Sequence, residues 1–214
     1  MPGLRLVLAS NNAKKLQELQ SLLGALPLEL VAQGSLGVAE AEEPHVTFLE
    51  NALAKARHAA AVSGQAAIAD DSGLCVPVLG GAPGVISAHY AGPVATAADR
   101  EATRRRQDAA NNQLLLQRMQ PFATPAQRRA RFVCTLVAVR AADDPEPLVA
   151  FGRWEGRLLA EARGDAGFGY DPLLYIPDAG CTVAEMTSAQ KNGISHRALA
   201  AAQMAALMRE AWGL

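Results

Sequence analysis

Two adjacent carboxylates follow a short apolar run in the first third of the chain. The run Ala66–Ile68 predicts a buried strand, and Asp70 and Asp71 come shortly after it, before a turn at Ser72-Gly73. An ionised carboxylate there is costly to desolvate unless it is paired, hydrogen-bonded or neutralised by a metal. The pattern favours a hard divalent cation such as Mg²⁺, which takes oxygen ligands and often bridges to phosphates. Solvated acids in an ordinary turn are the alternative.

The length and composition indicate one folded domain or two closely joined lobes. The chain has 214 residues, of which 50% are hydrophobic and 19% are charged, so it can bury a sizeable core and is too apolar for disorder. A formal net charge of -1 provides no strong field to attract nucleic acid or an acidic membrane. No run approaches the ~20 apolar residues of a membrane span, and we expect no signal peptide at the start. We therefore expect a cytoplasmic protein with neither nucleic acid nor a membrane as its partner.

The cysteines agree with that location. The chain has three cysteines, an odd number, and they lie in separate apolar segments at Cys75, Cys134 and Cys181. They predict buried free thiols in a reducing compartment rather than a disulfide framework or a zinc site.

Lysine is rare in this chain and its positions are informative. Sixteen arginines accompany only four lysines, which are Lys14, Lys15, Lys55 and Lys191. Arginine offers a planar fork, whereas lysine offers a compact point charge. The scarcity therefore suggests that the ammonium group itself is wanted at these four positions.

Hydrophobic periodicity predicts strands that alternate with helices in the first half and a hairpin later. The predicted strands are Leu4–Ala9, Leu28–Ala32, Ala66–Asp71, Leu74–Leu79, Arg128–Arg140 and Leu148–Leu159. The predicted helices follow Ser10-Asn11-Asn12, open at a Thr47 to Glu50 capping box, span Thr96–Gln120, and begin near Ser195. This order predicts an α/β fold with a mixed sheet in a single domain, residues 1–214.

The first strand-to-helix turn is a candidate phosphate site. The residues Ser10, Asn11, Asn12, Ala13, Lys14 and Lys15 combine unsatisfied helix N–H groups, a favourable helix dipole and polar or cationic side chains. The glycines and the GK[ST] ending of a P-loop are missing. An ordinary capped surface helix is the alternative interpretation.

Acidic and basic residues near the second helix could complete an oxygen-rich cage. Glu42 and Glu43 lie in the preceding loop, and with Asp70 and Asp71 they could bind Mg²⁺ together with water and phosphate. Lys55 lies on the helix itself. The alternative is that Glu42, Glu43 and Lys55 are ordinary solvated charges on the surface.

The last third of the chain contains candidate base-binding groups. In Phe168-Gly169-Tyr170-Asp171-Pro172 an aromatic ring beside glycine could stack on a nucleobase. Lys191 and Ser195-His196-Arg197 bring donors to the start of the last helix. A loop aromatic tucked into the core and a capped helix start are the alternatives. Together with the acids and lysines, the set suits a nucleoside triphosphate and its Mg²⁺.

Six segments in this order resemble a known family. They are Ser10–Leu19, Phe48–Ala52 with Lys55-Ala56, Ala69–Leu74, Gly81–Val85, Phe168–Pro172 and Ser195–Arg197. The chain is similar in this respect, from about Leu4 to Leu207, to the Ham1/RdgB-type non-canonical purine nucleoside triphosphate pyrophosphatases, also called inosine triphosphate pyrophosphatases.

The resemblance implies a fold and an activity. The fold would be a central elongated mixed β-sheet flanked by helices, with two lobes around a nucleotide-binding cleft. The activity would be hydrolysis of dITP, ITP and XTP to the monophosphate and pyrophosphate, which cleanses the nucleotide pool. Mg²⁺ would be required, the substrate would be a small molecule, and a homodimer is expected.

The resemblance also implies residue roles. Asp71 would be the general base and, with Glu42, a metal ligand, while Glu43, Lys55 and Asp70 would support them. The nucleotide contacts would come from Ser10, Asn11, Asn12, Ala13, Lys14, Lys15, Ser72, Phe168, Gly169, Tyr170, Asp171, Lys191, His196 and Arg197. The chain has His89 where the family usually has arginine, which would make a cation there pH-dependent.

Two other functions fit the same residues. A nucleotide-binding or sensing protein would keep the phosphate site without catalysis, although Glu42 and Asp71 argue against it. A pyrophosphatase for modified pyrimidine or 7-methylguanosine triphosphates would use a related fold.

Overall fold

The computed structural model of the protein describes residues 3–96 and 99–214, apart from the side chain of Arg100. The strands are β1 (Leu4–Leu8), β2 (Leu28–Ala32), β3 (Ala66–Cys75), β4 (Arg129–Val139), β5 (Leu148–Leu158), β6 (Leu174–Ile176) and β7 (Cys181–Thr182). The helices are α1 (Ala13–Leu23), α2 (Phe48–Ser63), α3 (Arg100–Met119), α4 (Ser188–Ile194) and α5 (His196–Trp212).

The seven strands form one mixed sheet in the order β2-β1-β3-β4-β5-β6-β7. Strand β1 pairs in parallel with β2 and with β3, whereas β6 pairs antiparallel with β5 and with β7. Parallel neighbours need a long crossover connection, and α1 and α2 supply the two crossovers of the first half. The predicted α/β fold with a mixed sheet is therefore confirmed.

Side-chain caps determine where the predicted helices begin. The carboxamide of Asn12 caps α1, the hydroxyl of Thr47 caps α2 and the hydroxyl of Ser195 caps α5, each by accepting first-turn backbone N–H groups. Helix α2 ends at Gly64, whose φ of 67° is the left-handed conformation that glycine adopts without strain. These three helix starts confirm the sequence prediction.

The internal contacts divide the chain into two compact units. The first unit contains the chain up to Ser72, Cys134–Gly152 and Ile194–Leu214, and the second contains Gly73–Val133 and Arg153–Gly193. Each unit has its own apolar core. That of the first unit includes Leu6, Leu19, Leu136 and Met204, with an alanine-rich face of α2 in a second cluster; that of the second unit includes Leu74, Leu115, Trp154 and Leu173. The single domain over 1–214, and the lobes around a cleft, stay predictions.

The fourth predicted strand, Leu74–Leu79, is wrong. Strand β3 continues through the expected turn to Cys75, and Pro77–Leu79 forms a 3₁₀ turn. Gly73 permits close packing there, because a Cβ atom would lie 2.4 Å from Ser87 Oγ and 2.5 Å from Gly84 O. Pro77 has no N–H to extend the sheet ladder.

Helix α3 begins later than the pattern Thr96–Gln120 predicts. Asp99 accepts a hydrogen bond from Ala102 N at 2.6 Å, and the helix starts at Arg100 after this cap. Residues 97 and 98 of the predicted helix lie outside the described residues. Across 3–96 and 99–214, no helix has both the length and the apolar character needed to cross a membrane.

Candidate functional site

The turn between β1 and α1 is held by its own side chains. Ser10 Oγ accepts from Asn12 N at 3.2 Å, and Asn12 Oδ1 accepts from the backbone N–H groups of Lys14 and Lys15 at 3.0 and 3.4 Å. The cap thus satisfies two of the helix donors that the sequence offered to an anion. Asn11 Nδ2 donates to Glu40 Oε1 at 3.1 Å, and Ala13 is exposed.

A buried network surrounds the first acid of the pair. The carboxylate of Asp70 accepts from Lys15 Nζ at 2.6 Å, Arg197 Nε at 2.7 Å, Ser72 Oγ at 2.8 Å and Cys134 Sγ at 3.3 Å. Burial alone would raise the pKa of Asp70, but the charges of Arg197 and Lys15 hold it well below its usual range. We call Lys15, Glu18, Asp70, Ser72, Cys134 and Arg197 the Asp70 network.

Arg197 is the cation at the centre of this network. It is only 1% exposed, and it donates to Glu18 Oε2 and to Ser72 Oγ as well as to Asp70. Burial would lower the pKa of the guanidinium, yet Asp70 and Glu18 raise it above its usual value. The guanidinium of Arg197 therefore donates its hydrogen bonds chiefly to carboxylates of the protein itself. The nucleotide contact expected for Arg197 stays a prediction.

The second acid, Asp71, has one partnered and one unpartnered oxygen. Its Oδ1 accepts from Lys55 Nζ at 3.0 Å, whereas its Oδ2 is buried and has no hydrogen-bond partner among the described residues. Burial raises the pKa of Asp71 to about 6, although the nearby ammonium of Lys55 lowers it. A carboxylate with this pKa can take up a proton near neutral pH.

Lys55 joins Asp71 to a further acid. Its Nζ lies 3.2 Å from Glu43 Oε2 and donates to the backbone oxygen of Asp70 at 3.1 Å. Burial lowers the pKa of Lys55, but the charges of Asp71 and Glu43 raise it further than burial lowers it. One ammonium therefore contacts two carboxylates, those of Asp71 and Glu43.

Glu43, rather than Glu42, belongs to this group. Glu42 is exposed in the loop before α2, and the described contacts link only Glu43 to Asp71 through Lys55. Within the described ranges, no three histidine, cysteine or acidic side chains come together as a ready metal site. The metal-ligand role of Glu42 stays a prediction, and Glu43 is a second candidate on geometric grounds.

A second group of predicted residues lies in the second unit, in the segment Gly167–Asp171, which we call the aromatic loop. Asp171 Oδ2 accepts from Phe168 N at 3.0 Å and from Lys191 Nζ at 2.9 Å. Lys191 Nζ lies 4.7 Å from the centroid of the Phe168 ring. The structure therefore brings together the aromatic ring, the lysine and the acid that the sequence selected.

Helix α3 also contacts the aromatic loop. Asp108 Oδ2 accepts from Gly169 N, and Asn112 Nδ2 donates to Gly169 O, each at 2.9 Å. Tyr170 Oη donates to Ser87 O at 2.9 Å, and burial raises the pKa of this phenol. Both peptide groups of Gly169 are thereby fixed.

The two histidines of interest differ in exposure. His196 is buried at the first residue of α5 in the first unit, 5% exposed. His89 is exposed at the end of the 3₁₀ segment Gly84–His89 in the second unit. The role expected for each stays a prediction.

Sequence reasoning missed four side chains that hold these groups in place: Glu18, Cys134, Asp108 and Asn112. Their signal was present but weak. Glu18 is one helical turn from Lys15, and Asp108 and Asn112 have the i, i+4 spacing of one helix face.

Comparisons with known proteins give the chain a family. The Ham1 family model matches residues 6–207. A dITP/XTP pyrophosphatase of Methylibium petroleiphilum is 69% identical over 209 residues, which cover 98% of this chain and 99% of that protein. The corresponding protein of Leptothrix cholodnii is 67% identical over 214 residues, covering 99% of this chain and 100% of its own.

Solved structures agree with the sequence relatives. A HAM1 protein from Coxiella burnetii superposes with a TM-score of 0.85 at 42% identity, covering 97% of this chain and 100% of its own. The Ham1 protein of Staphylococcus aureus gives a TM-score of 0.80 at 33% identity, with 96% and 98% coverage. This chain belongs to the Ham1 family.

Proposed function

We propose that this protein hydrolyses non-canonical purine nucleoside triphosphates, namely dITP, ITP, XTP and dXTP, to the monophosphate and pyrophosphate. Full-length relatives named dITP/XTP pyrophosphatase support the substrate class. The observation that carries the proposal is the buried, unpartnered Oδ2 of Asp71 on a carboxylate whose pKa is about 6. Removal of these nucleotides would cleanse the nucleotide pool.

Asp71 is the general base of this reaction. Water attacks the α-phosphorus, the bond to the bridging oxygen breaks, and pyrophosphate leaves. Asp71 Oδ2 takes the proton of the attacking water, since Oδ1 is already bonded to Lys55. Burial makes the Asp71 carboxylate a stronger proton acceptor than an exposed aspartate, because it raises the pKa of this group.

The residues around Asp71 fit a divalent cation. The carboxylates of Asp71 and Glu43 supply oxygen donors for such an ion, and both contact the ammonium of Lys55. Asp71 would hold Mg²⁺ with Glu42, as the resemblance implies, or with Glu43, which the geometry favours. When bound, the ion neutralises charge on the phosphates.

The lysines of the first unit supply positive charge for the triphosphate. Lys14 and Lys15 follow the Asn12 cap of α1, and Lys55 lies between Asp71 and Glu43. Lys15 and Lys55 are each paired with an acid, so they act chiefly by balancing charge rather than as unpaired phosphate ligands. Ser10, Asn11, Asn12, Ala13 and Ser72 complete the proposed phosphate contacts.

The aromatic loop recognises the base. The Phe168 ring would stack on the purine, and Lys191 would donate to the oxygen at position 6 of hypoxanthine or xanthine. The nucleotide contacts that the resemblance implies for His196 and Arg197 belong to the first unit. Adenine has an amino donor at that position, so the same site would leave donors unpaired. Sites of this kind can discriminate by about 10⁴–10⁵.

A turnover assay with a matched pair of variants tests the proposal. Incubation with ITP and Mg²⁺ should release pyrophosphate, and Asp71→Asn should lower kcat by at least about 100-fold, the lower range for loss of a general base. Asp143→Asn is the control, because Asp143 is an exposed acid in the turn between β4 and β5. Release of orthophosphate alone, or full activity of Asp71→Asn, would contradict the proposal.

A triphosphate panel separates the alternatives. ITP, XTP, GTP, ATP, a modified pyrimidine triphosphate and 7-methylguanosine triphosphate are compared by kcat/KM, and we expect ITP and XTP to lead. Binding of ITP without turnover would instead indicate a sensing protein. The homodimer and the cytoplasmic location stay predictions.

A further inference from the structure

One face of helix α3 carries four polar side chains that all bond to loop backbone in the second unit. They are Gln107, Asp108, Asn111 and Asn112, at positions i, i+1, i+4 and i+5. Such spacing aligns two side-chain pairs along the helix. The face serves two loops, and Asp108 and Asn112 reach the aromatic loop.

Asp108 and Asn112 hold Gly169 from both sides. The N–H of Gly169 donates to Asp108 Oδ2 and its C=O accepts from Asn112 Nδ2, each at 2.9 Å. The N–H belongs to the peptide plane shared with Phe168, and the C=O to the plane shared with Tyr170. Gly169 has a φ of 63°, so glycine permits this backbone while the two bonds fix it.

The peptide groups on either side of Gly169 also determine the direction of the Phe168 side chain. The backbone N–H of Phe168 donates to Asp171 Oδ2, the oxygen that also accepts from Lys191 Nζ. The Asp171 carboxylate therefore orients both the Phe168 backbone and Lys191, whereas α3 acts on the Phe168 side alone. Loss of the α3 bonds would free the Phe168–Gly169 peptide plane to rotate, and with it the ring that faces Lys191 at 4.7 Å.

The remaining contacts keep the loop attached when Asp108 or Asn112 is removed. Tyr170 Oη donates to Ser87 O, and Asn111 Nδ2 donates to the same oxygen at 3.2 Å. Tyr170 is itself buried, only 4% exposed. Truncation at 108 or 112 should thus loosen the ring without unfolding the second unit.

We propose that Asp108 and Asn112 are positioning residues for purine recognition, which fix the Phe168 ring opposite Lys191 for a 6-oxopurine through the two peptide groups of Gly169. The inference rests on the proposed function. The two residues contact Gly169 of the aromatic loop, so their contribution belongs to base binding rather than to phosphate binding.

Four variants test this proposal: Asp108→Ala, Asn112→Ala, Asp108→Asn and Gln113→Ala. Asp108→Asn keeps an oxygen that can accept from Gly169 N, and Gln113→Ala removes an exposed amide beside Asn112 on the same helix. The measurements are kcat and KM for ITP, and the inhibition constants of IMP, which has the base, and of pyrophosphate, which lacks it.

We expect both alanine truncations to raise the KM for ITP and the inhibition constant of IMP about three- to tenfold, the range for one lost hydrogen bond. The inhibition constant of pyrophosphate should stay within about twofold of wild type, and Asp108→Asn should behave like Gln113→Ala. Thermal unfolding identifies a variant that fails to fold. If Asp108→Ala fails to fold, the result for Asn112→Ala alone decides the test.

Two results overturn the inference while leaving the proposed function intact. One is an active wild type whose folded truncation variants bind IMP as Gln113→Ala does. The other is a rise in the inhibition constant of pyrophosphate equal to that of IMP. A wild type that releases no pyrophosphate from ITP instead overturns the proposed function and this inference with it.

Discussion

Asp70 and Asp71 are neighbours in sequence, yet folding moves the pKa values of their carboxyl groups in opposite directions. Successive side chains of a strand point to opposite faces, so the two acids meet different surroundings. Asp70 meets Arg197 and Lys15, whose charges outweigh burial, and Asp71 meets one lysine shared with Glu43. The sequence predicted a strand through both acids, but it did not show which distant side chains meet each of them.

The raised pKa of Asp71 predicts a gain in stability when the acid is neutralised. The pKa is 3.8 when unfolded and about 6 when folded, so the folded state binds the proton more tightly. The resulting stabilisation is complete below pH 3.8 and is lost as pH rises through 6. Asp71→Asn does not titrate, and its free energy of unfolding relative to wild type should increase between pH 4 and 7, on the order of 1–3 kcal/mol.

Urea denaturation in the presence of a chelator measures this difference. The exposed Asp143→Asn serves again as control and should show no such pH-dependent gain. A difference between Asp71→Asn and wild type that stays constant from pH 4 to 7 would show that folding does not raise the pKa of Asp71.

Replacement of Arg197 should lower the free energy of unfolding, whereas replacement of Asp71 should raise it. Arg197→Ala would leave Asp70 and Glu18 without their shared cation inside the protein, and removal of one partner of a buried ion pair typically costs about 3–5 kcal/mol. Arg209→Ala, in the exposed last turn of the same helix, should change the free energy of unfolding by less than about 0.5 kcal/mol. Equal costs for the two variants would contradict a buried role for Arg197.

At the scale of elements, Gly152 of β5 allows the first turn of helix α5 to pack closely against the strand. A Cβ atom at position 152 would lie 1.8 Å from His196 O and 2.9 Å from Ala200 N. Gly152→Ala would force the first turn of α5 away from β5, and Arg197 lies in that turn. We expect a loss of at least about 1–3 kcal/mol, the usual cost of overpacking.

Gly193 provides the matched control for this substitution. It lies in α4, and a Cβ atom there would meet nothing within 4 Å, so Gly193→Ala should be neutral or slightly stabilising. Chemical denaturation of both variants measures the difference. Full stability of Gly152→Ala would mean that α5 can shift without cost.

Long periodic elements were predictable, and short or closely packed ones were not. The bounds of β2 and the start of α5 were predicted because apolar spacing and a cap residue mark them locally. Gly73 was interpreted as a turn because glycine is the commonest turn signal, whereas here it allows Ser87 to approach the strand. Strands β6 and β7 have three and two residues, too few for a periodic pattern.

At the scale of the whole molecule, the sequence indicated which residues matter better than what each one does. Asp71, Lys55, Phe168 and Lys191 were all selected, and the structure pairs Asp71 with Lys55 and Phe168 with Lys191. The hydrogen bonds that occupy the Asp70 carboxylate were not predictable, since their donors come from α1, β4 and α5, far apart along the chain. Spacing in sequence carries no information about such distant pairs.

The four lysines allow this arrangement to be tested across the whole chain. Lys55 and Lys191 are each 7% exposed and paired with an acid, so acetic anhydride at low excess should modify them slowly in the native protein. Acylation needs the neutral amine, and the raised pKa of Lys55 makes that form scarcer still. Lys14, which is half-buried, should react faster than either.

Mass spectrometry of peptides from native and urea-unfolded protein measures the extent of acylation at each lysine. We expect all four lysines to react alike when unfolded, and Lys55 and Lys191 to be at least about tenfold slower in the native state, because burial restricts access to the reagent. The scarcity of lysine makes the result simple to interpret, since each labelled peptide reports one segment of the candidate site. Equal native rates at Lys14 and Lys55 would mean that the ion pair between Lys55 and Asp71 opens readily, and Asp71 would then lack the ammonium that lowers its pKa.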